Sequence, residues 1–519
     1  MGYYPSEKKK MGEEKLIINS EKVRFIDILS LLLLRRPLAS YHFVDAGDGN
    51  SGELGSAPGE WFVALTEIIQ KALAAAYYPA KYLGIVVEFF LNFVALNGGL
   101  IGIVWNIFRC KLVIPLNREA PNFRSMIAMI DGRTELKPMK PTTAGVNDDL
   151  ESGGCAADSP LIIRHQCLDG EHLLAGEQYS LSEVTVMAAK IAYENAAYIE
   201  NVVNNVWKFN FVGFYSCWNK FVGSETTQAF VMTERAKDAS LILVAFRGTE
   251  PFNMQDWSTD VNLSWLGMGP MGHVHVGFLK ALGLQEVDGK DATRAFPRQL
   301  PTNAGHDKPV AYYKLRDVVR DAARRHPNAR VVVTGHSLGG ALAAAFPSLL
   351  AFHGEADLLA RLSAVHTYGS PRVGDATFSS FLATAPGISS NTLSSLRVVY
   401  RYDIVPRVPF DAPPVADYRH GGRCVYYDGW YAGKELAAGE DAPNKNYFDP
   451  RYLMSMYGNA WGDLIKAIFL GWKEGKDFRE GIVSIVYRAA GVLFPGLASH
   501  SPRDYVNAIR LGRVAPKEA

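Results

Sequence analysis

The segment Arg330–Ala345, which reads RVVVTGHSLGGALAAA, constrains the fold of this chain more than any other. Its β-branched run Val331–Thr334 predicts a short buried strand, and the alanine-rich residues that follow predict a helix. Between them lies the pattern G-x-S-x-G, which predicts a turn so tight that only glycine fits at Gly335 and Gly339. Such a turn presents the hydroxyl of Ser337 above the edge of a sheet, where a nucleophile can reach its substrate. The alternative is a small-residue turn with no catalytic role.

Strands and helices alternate on both sides of this turn. The helix after the turn contains Pro347, which we expect to bend or shorten it. The alternation predicts a mainly parallel sheet with helices on both faces, and together with the turn it predicts an α/β-hydrolase fold. The elements expected are strands at Gln228–Glu234, Leu241–Phe246, Arg330–Thr334, Ala364–Tyr368 and Leu396–Tyr402, and helices at Leu181–Trp207 and Tyr312–His326.

A serine nucleophile needs a histidine base and a carboxylate, which follow the serine in the order acid, histidine in this fold. Asp403 ends a predicted strand at the sheet edge that carries active sites, and we favour it over Asp375, which also follows a strand. We favour His500 as the base over His420. His500 stands on a loop before a helix that opens with Ser-Pro, past the last predicted strand.

Two backbone or side-chain donors are needed to hold a developing oxyanion. The N–H of Leu338, directly after the nucleophile, supplies one. Thr249, in the loop after the strand Leu241–Phe246, fits the second. The residues that follow, 250–257, mix exposed apolar and polar types and are typical of a short lid, although a plain surface loop would have the same composition.

A second kind of segment lies far upstream, at residues 61–115, where charges are sparse and apolar residues fall all round a helix. Asn97-Gly98-Gly99 predicts a turn in its middle and leaves two arms, Tyr82–Leu96 and Leu100–Ile114. Each arm is shorter than the ~20 residues that cross a bilayer. We therefore expect an anchor, hairpin or span, in a membrane or in a lipid-droplet monolayer. The alternative is a buried helical pair.

The remaining organisation follows from composition. Residues 1–60 form a polar region with a short apolar, interfacial element at Phe25–Leu34, and 116–180 form a linker and the entry to the main domain. Residues 181–519 form that domain, with a helical insertion at about 430–495. A net charge of +1 gives no reason to expect nucleic acid, and the five scattered cysteines, without a CxxC pair, indicate neither a zinc site nor a disulfide framework. No metal or organic cofactor is expected.

Five motifs occur in a fixed order: FRGTE, HVHVGF, TGHSLGGALA, TYGSPRVGD and YDIVPRVP. With them, roughly residues 180–515 resemble the class 3 (fungal-type) lipases, and the hydrophobic N-terminal extension makes the chain similar to plant oil-body triacylglycerol lipases. The resemblance implies an α/β-hydrolase fold and a triad of Ser337, Asp403 and His500. It also implies that Thr249 contributes to the oxyanion hole. Asp375 departs from the family, which often has Asn there.

These observations lead to the hypothesis of a serine esterase that hydrolyses triacylglycerol at the surface of a lipid droplet (oil body). The endoplasmic reticulum membrane is the second candidate location, and the catalytic domain is expected to face the cytosol. A phospholipase A1 or galactolipase would use the same triad. A rival of another class is a non-catalytic structural or tethering protein of lipid droplets.

Overall fold

The computed structural model describes most of the chain. Parts of the predicted linkers (48–59 and 139–162) and of the predicted helical insertion (437–449) lie outside the described residues. The structure describes residues 15–34, 36–47, 60–138, 163–164, 173–174, 179–287, 291–300, 308–386, 388, 393–410, 415–436 and 450–515.

The strands form one large sheet and two small ones. In chain order they are β1 Lys15–Ile18, β2 Val44–Ala46, β3 Ile163–Arg164, β4 Leu173–Leu174, β5 Tyr179–Ser180, β6 Asn210–Asn219, β7 Ser224–Thr233, β8 Leu241–Phe246, β9 Trp265–Gly267, β10 His273–His275, β11 Arg330–His336, β12 Leu362–Tyr368, β13 Ser394–Tyr400, β14 Arg423–Gly429, β15 Ala432–Leu436 and β16 Arg513–Ala515.

Helices cover both faces of the large sheet and form the N-terminal segment. They are α1 Phe25–Leu33, α2 Glu60–Leu96, α3 Gly99–Phe108, α4 Met126–Ile130, α5 Leu181–Ile191, α6 Ala196–Asn201, α7 Met254–Val261, α8 Val276–Leu282, α9 Ala292–Ala295, α10 Ala311–Arg325, α11 Leu338–Phe352, α12 Ala356–Leu359, α13 Ala376–Thr384, α14 Leu453–Lys473, α15 Ile482–Gly491, α16 Pro495–Ala498 and α17 Pro502–Leu511.

The large sheet has ten strands in the order β3-β16-β15-β14-β13-β12-β11-β8-β7-β6. Its centre, from β8 to β14, is parallel. The carboxyl ends of β8, β11 and β13 therefore meet at one edge, where ligands bind in sheets of this kind. The predicted α/β-hydrolase fold with a mainly parallel sheet is confirmed.

The core lies in two layers, one on each face of this sheet. One layer packs α11, α10 and α8 against inward side chains of β8 and β11, and the other packs α5 and α17 against the opposite face. β11 is buried at every residue after Arg330, as its β-branched run predicts. Helix α11 continues through Pro347 to Phe352, so the expected shortening at that proline is wrong.

The N-terminal residues pack onto the main domain through a small antiparallel sheet of order β10-β9-β1-β2. Leu16 of β1 pairs with Trp265 of β9, and both side chains are buried. Helix α1 follows at the predicted apolar element, and its outward side chains, including Phe25 and Leu33, are exposed. This region is thus built onto the domain that carries the Ser337 turn.

The predicted anchor segment folds as a long helix and a short one. α2 has 37 residues and continues through Pro79, and the turn at Asn97-Gly98 separates it from α3. The expected first arm, Tyr82–Leu96, was therefore too short. Within the described part of the chain, one helix, Trp61–Leu96, is long and apolar enough to cross a membrane by length and composition.

Candidate active site

Ser337 stands between β11 and α11 in a backbone conformation that side chains rarely adopt, with φ 60° and ψ −135°. Such strain at a non-glycine residue persists only where the surroundings enforce it. The flanking glycines do so: a side chain at Gly335 would collide with the Gly339 backbone, and one at Gly339 would collide with the carbonyl of Phe246. The sequence therefore folds locally into the strained turn that its two glycines predict.

His500 and Asp403, which are 97 residues apart in sequence, meet beside this turn. His500 Nδ1 lies 2.7 Å from Asp403 Oδ2, and both side chains are buried. His500 follows the short helix α16, and Asp403 follows β13 at the sheet edge. A carboxylate bonded to Nδ1 holds the imidazole with Nε2 available as a base and stabilises the imidazolium that forms.

The Asp403 carboxylate is fixed by donors on both oxygens. The N–H of Val405 donates to Oδ1 at 2.8 Å, and the hydroxyl of Tyr505, from α17, donates to Oδ2. Gly369 lies against this pair, and a methyl group there would come within 2.9 Å of Oδ2. Charge-assisted bonds of this kind are about twice as strong as neutral ones, so the carboxylate has one orientation.

The ring of His500 lies directly over the residue before the nucleophile. The rings of His336 and His500 are 4.5 Å apart between centroids, and the hydroxyl of Tyr193 bonds His336 Nδ1 at 2.8 Å. Burial, together with the nearby His500, lowers the pKa of His336 well below its usual value. His336 therefore stays neutral and does not compete for the proton that the base takes up.

Two reactive atoms are left without a protein partner. Among the described residues, neither Ser337 Oγ nor His500 Nε2 has a hydrogen-bond partner, and both are buried. In the absence of substrate, catalytic hydrogen bonds are often long and tighten only in the complex. The arrangement can thus transfer a proton from the hydroxyl to Nε2 when a substrate brings the two groups together.

The expected oxyanion donors lie next to the serine. Leu338 is the first residue of α11, where a backbone N–H has no acceptor within the helix. The loop after β8 packs against the turn so closely that a methyl group at Gly248 would come 2.5 Å from the His336 carbonyl oxygen. Thr249, which follows, is buried there. This packing places Thr249 in the loop beside the turn, and its role as the second oxyanion donor stays a prediction.

The segment predicted as a lid forms a helix, α7, over this site. The ring of Trp257, in α7, meets the His500 ring edge to face at 5.8 Å. On its other side α7 packs against the long apolar helix α2. Just before α7, Phe252 fills the space over Gly84 of α2, where a methyl group would come within 2.8 Å of its ring. The cover of the site is thus in direct contact with the predicted anchor.

The competing candidates have other partners. Asp375 caps α13 by accepting from the Phe378 N–H at 2.8 Å and pairs with His273 at 3.0 Å, and these bonds hold its pKa below the ordinary value. His420 is bonded to the Pro406 carbonyl at 2.7 Å, and burial lowers its pKa well below the ordinary value. Asp375 and His420 are thus bonded to other groups and not to each other, so they do not form an acid–base pair for Ser337.

Sequence reasoning missed Tyr505 and Trp257 as parts of the site. Trp257 stands in the segment that was read as a lid, but nothing in its pattern pointed at His500. Tyr505 lies on the buried face of α17, five residues after His500, and a tyrosine there reads as core. In the part of the chain that the structure describes, no group of three or more His, Cys, Asp or Glu side chains could hold a metal ion.

The fold and the turn correspond to a known family. Residues 243–412 match the model described as Lipase (class 3). The chain belongs to this family, so it is a carboxylic-ester hydrolase, and the resemblance seen in the motifs is confirmed.

Its relatives include plant proteins that it matches along most of their length. A protein of Nicotiana tabacum described as triacylglycerol lipase OBL1 is 35% identical, covering 92% of this chain and 88% of the relative. The protein of the same description from Arabidopsis thaliana is 36% identical, covering 87% and 85%. Among solved structures, Rhizomucor miehei triacylglyceride lipase aligns with 24% identity and a TM-score of 0.33, covering 47% of this chain and 77% of that one.

Proposed function

We propose that this chain hydrolyses triacylglycerol at the surface of lipid droplets with Ser337 as nucleophile, His500 as base and Asp403 as the orienting acid. The observation that carries the proposal is the buried 2.7 Å contact between His500 and Asp403 beside a serine on a strained turn. Relatives described as triacylglycerol lipases support the choice of ester.

In the proposed reaction, Ser337 Oγ attacks the ester carbonyl while His500 Nε2 takes its proton. The N–H of Leu338, with Thr249, holds the oxyanion. The imidazolium then gives its proton to the departing diacylglycerol oxygen, and an acyl-enzyme remains. Water, deprotonated by His500, attacks the acyl-enzyme, the imidazolium returns the proton to Ser337 Oγ as it leaves, and the fatty acid is released.

The same proposal assigns residues 61–115 as the anchor that holds a catalytic domain, 181–519, at the lipid surface. The polar region 1–60 precedes the anchor, residues 116–180 form the linker and the entry to the domain, and the helical insertion at about 430–495 belongs to the domain. Every described side chain of α3 is at least partly exposed, and large apolar ones such as Ile101 and Phe108 are among the most exposed. Such a helix is costly in water and stable in lipid. We propose that the catalytic domain faces the cytosol.

The catalytic part is tested with Ser337→Ala on emulsified triacylglycerol. Fatty-acid release should fall at least about a thousandfold, because removing the nucleophile leaves only binding and the oxyanion donors. Ser348→Ala, a buried serine on the same helix, is the matched control and should keep the wild-type rate. Equal rates for wild type and Ser337→Ala would end the proposal. Faster release from phosphatidylcholine or galactolipid than from triacylglycerol would replace the substrate and keep the triad.

The anchor is tested with Ile101→Asp and Val104→Asp together, because both side chains are exposed on α3 and the core loses nothing. We expect a tagged variant to move from droplets to the soluble fraction of lipid-storing cells. Retention on droplets at the wild-type level would contradict the assignment of α3 as a part of the anchor that droplet binding requires.

A further inference from the structure

Helix α14 buries its charged side chains and exposes its large apolar ones. Between Leu453 and Trp472 the only charged residues are Asp463 and Lys466, and both are buried. Its outward face carries large apolar side chains, and Trp472 is 94% exposed. Buried charges and exposed apolar patches are the informative departures from ordinary burial. The apolar residues exposed along α14 are Leu453, Met454, Tyr457, Trp461, Ile465, Ile468, Phe469 and Trp472.

The buried charges of α14 hold its polar side against the domain. Lys466 Nζ lies 2.8 Å from Asp463 and 2.6 Å from the hydroxyl of Tyr400, at the end of β13. Asn459 donates to the same aspartate at 3.2 Å. Because these groups bond one another inside the protein, rotating the helix to expose them would leave Tyr400 unpaired. The outward direction of the apolar face is therefore fixed.

Helix α15 repeats the same inversion. Its one charged residue, Arg488, is buried and bonds Glu480 at 2.7 Å and Asp504, on α17, at 2.9 Å. Ile482 and Val486 point outward and are largely exposed. Two neighbouring helices thus present apolar residues to the outside and keep their charges within.

We propose that the outer face of α14 and α15, continued by Leu493, Phe494 and Leu497 (the α14–α15 face), docks on the phospholipid-coated surface of a lipid particle. It is a second lipid contact, in addition to the anchor at 61–115. It rests on the proposed function for the location of the enzyme, and it specifies how the active site meets its substrate.

The chemistry of the face favours lipid over water. Its apolar side chains include two tryptophans, residues that concentrate at membrane interfaces. Trp472 ends the face, and the segment after it exposes Lys473, Lys476 and Arg479 together with Glu474 and Asp477, so three cations against two anions leave a net charge of +1. Cations at the end of an apolar helix face bond phosphate head groups while the apolar residues enter the acyl layer.

The position of the face favours the same occupant. Phe494 directly precedes α16, and His500 follows that helix, so the face runs to the catalytic base. At its other end Met456 packs in one cluster with Phe62 of α2 and Val261 of α7. The α14–α15 face, the site cover and the predicted anchor are therefore continuous, and an ester drawn from the lipid would enter between them.

Quenching of tryptophan fluorescence tests the contact directly. Full-length protein with Ser337→Ala is added to phosphatidylcholine-coated triolein droplets that contain brominated acyl chains. The tryptophans on the face should be quenched together with the exposed Trp105 of the anchor, and Trp461→Phe with Trp472→Phe should reduce the quenched component to the part that belongs to the anchor. Trp218→Phe, on β6 at the far edge of the sheet and under the Lys308 ammonium at 3.6 Å, should leave it unchanged. An unchanged quenched component in the Trp461/Trp472 variant overturns the proposal.

Kinetics test its consequence. Ile465→Asp with Ile468→Asp should lower hydrolysis of emulsified triacylglycerol at least tenfold and leave hydrolysis of a water-soluble short-chain ester within twofold. The control, Val206→Asp with Phe221→Asp, replaces apolar residues beside β6 that are 37% and 38% exposed, against 52% and 58% for Ile465 and Ile468, and should change neither rate. An unchanged ratio of the two rates overturns the proposal. So does a concentration-dependent dimer that the aspartates dissociate, since a second copy would then cover the face. Ser337→Ala should abolish both rates, whereas the Ile465/Ile468 variant should lower only the rate on emulsified triacylglycerol. The failure of one proposal is therefore distinguishable from the failure of the other.

Discussion

Tyr505→Phe isolates a side-chain hydrogen bond on Asp403 that sequence reasoning did not foresee. The Tyr505 hydroxyl donates to Oδ2, the oxygen that also contacts His500 Nδ1 at 2.7 Å. Without that donor, less of the carboxylate charge is neutralised, so it attracts the imidazolium more strongly. The base must be neutral to accept the serine proton. The acidic limb of the kcat/KM profile should therefore move to higher pH.

The size of the shift follows from the bond. A hydrogen bond to a charged group contributes about 1.5–3 kcal/mol. If a third to a half of this is transferred to the imidazolium, about 0.5–1.5 kcal/mol results, which at 1.36 kcal/mol per unit moves the limb by about 0.4–1.1 pH units. The rate on the alkaline plateau should fall less than about tenfold, because the ring still packs in place.

The assay is hydrolysis of a water-soluble short-chain ester across pH, which removes effects of lipid binding. Tyr400→Phe is the matched control. It removes a buried hydroxyl from the same core, but that hydroxyl bonds Asp463 and Lys466 and not Asp403. Both variants should lose stability, and only Tyr505→Phe should shift the acidic limb. A shift toward lower pH, or equal shifts in both variants, would refute the reasoning.

Further substitutions separate the roles of individual residues. Asp403→Asn should lower kcat about 10³–10⁴-fold on a soluble ester, whereas Asp375→Asn should change it less than about threefold; the reverse order would reassign the acid. Gly248→Ala should lower kcat at least about tenfold with KM little changed, since its methyl group would press on the Tyr193 hydroxyl and on the His336 carbonyl beside the expected oxyanion donors; an unaffected kcat would remove that loop from the hole. Arg488→Met leaves Asp504 buried without its cation and Glu480 with Arg503 alone, and should cost about 3–5 kcal/mol in chemical denaturation; a loss below 1 kcal/mol would contradict the buried pairing.

The parts of the fold that the sequence predicts are those set by short-range rules. Strand β8 has the predicted bounds, Leu241–Phe246, because a continuous β-branched and apolar run fits only a strand buried on both faces. The glycines at 335 and 339 predict the strained turn for an equally local reason, since nothing larger fits. The pairing of His500 with Asp403 was predicted from chain order, from the loop positions of both residues and from the family resemblance, and the structure adds the distance between them.

Other parts depend on packing that no local pattern contains. The arms of the predicted hairpin were measured from the most apolar residues, but α2 begins at Glu60, because its first half packs on α7 and α1 and polar residues are buried there. One of these, Glu67, accepts from Ser20. Tyr505 could not be distinguished from core by sequence, since its hydroxyl finds a partner only when α17 meets the end of β13.

Helices α14 and α15 show that a sequence pattern alone does not tell which side of a helix faces the core. An amphipathic pattern tells that one side of a helix differs from the other, and in a water-soluble domain the apolar side goes inward. Here the charged side goes inward, because Asp463, Lys466 and Arg488 each find bonded partners in the domain. Exposure of the outer side to water costs free energy, which docking on lipid would remove. In the proposal made above, the packing of these charges and the chemistry of Ser337 both favour a lipid surface beside the active site.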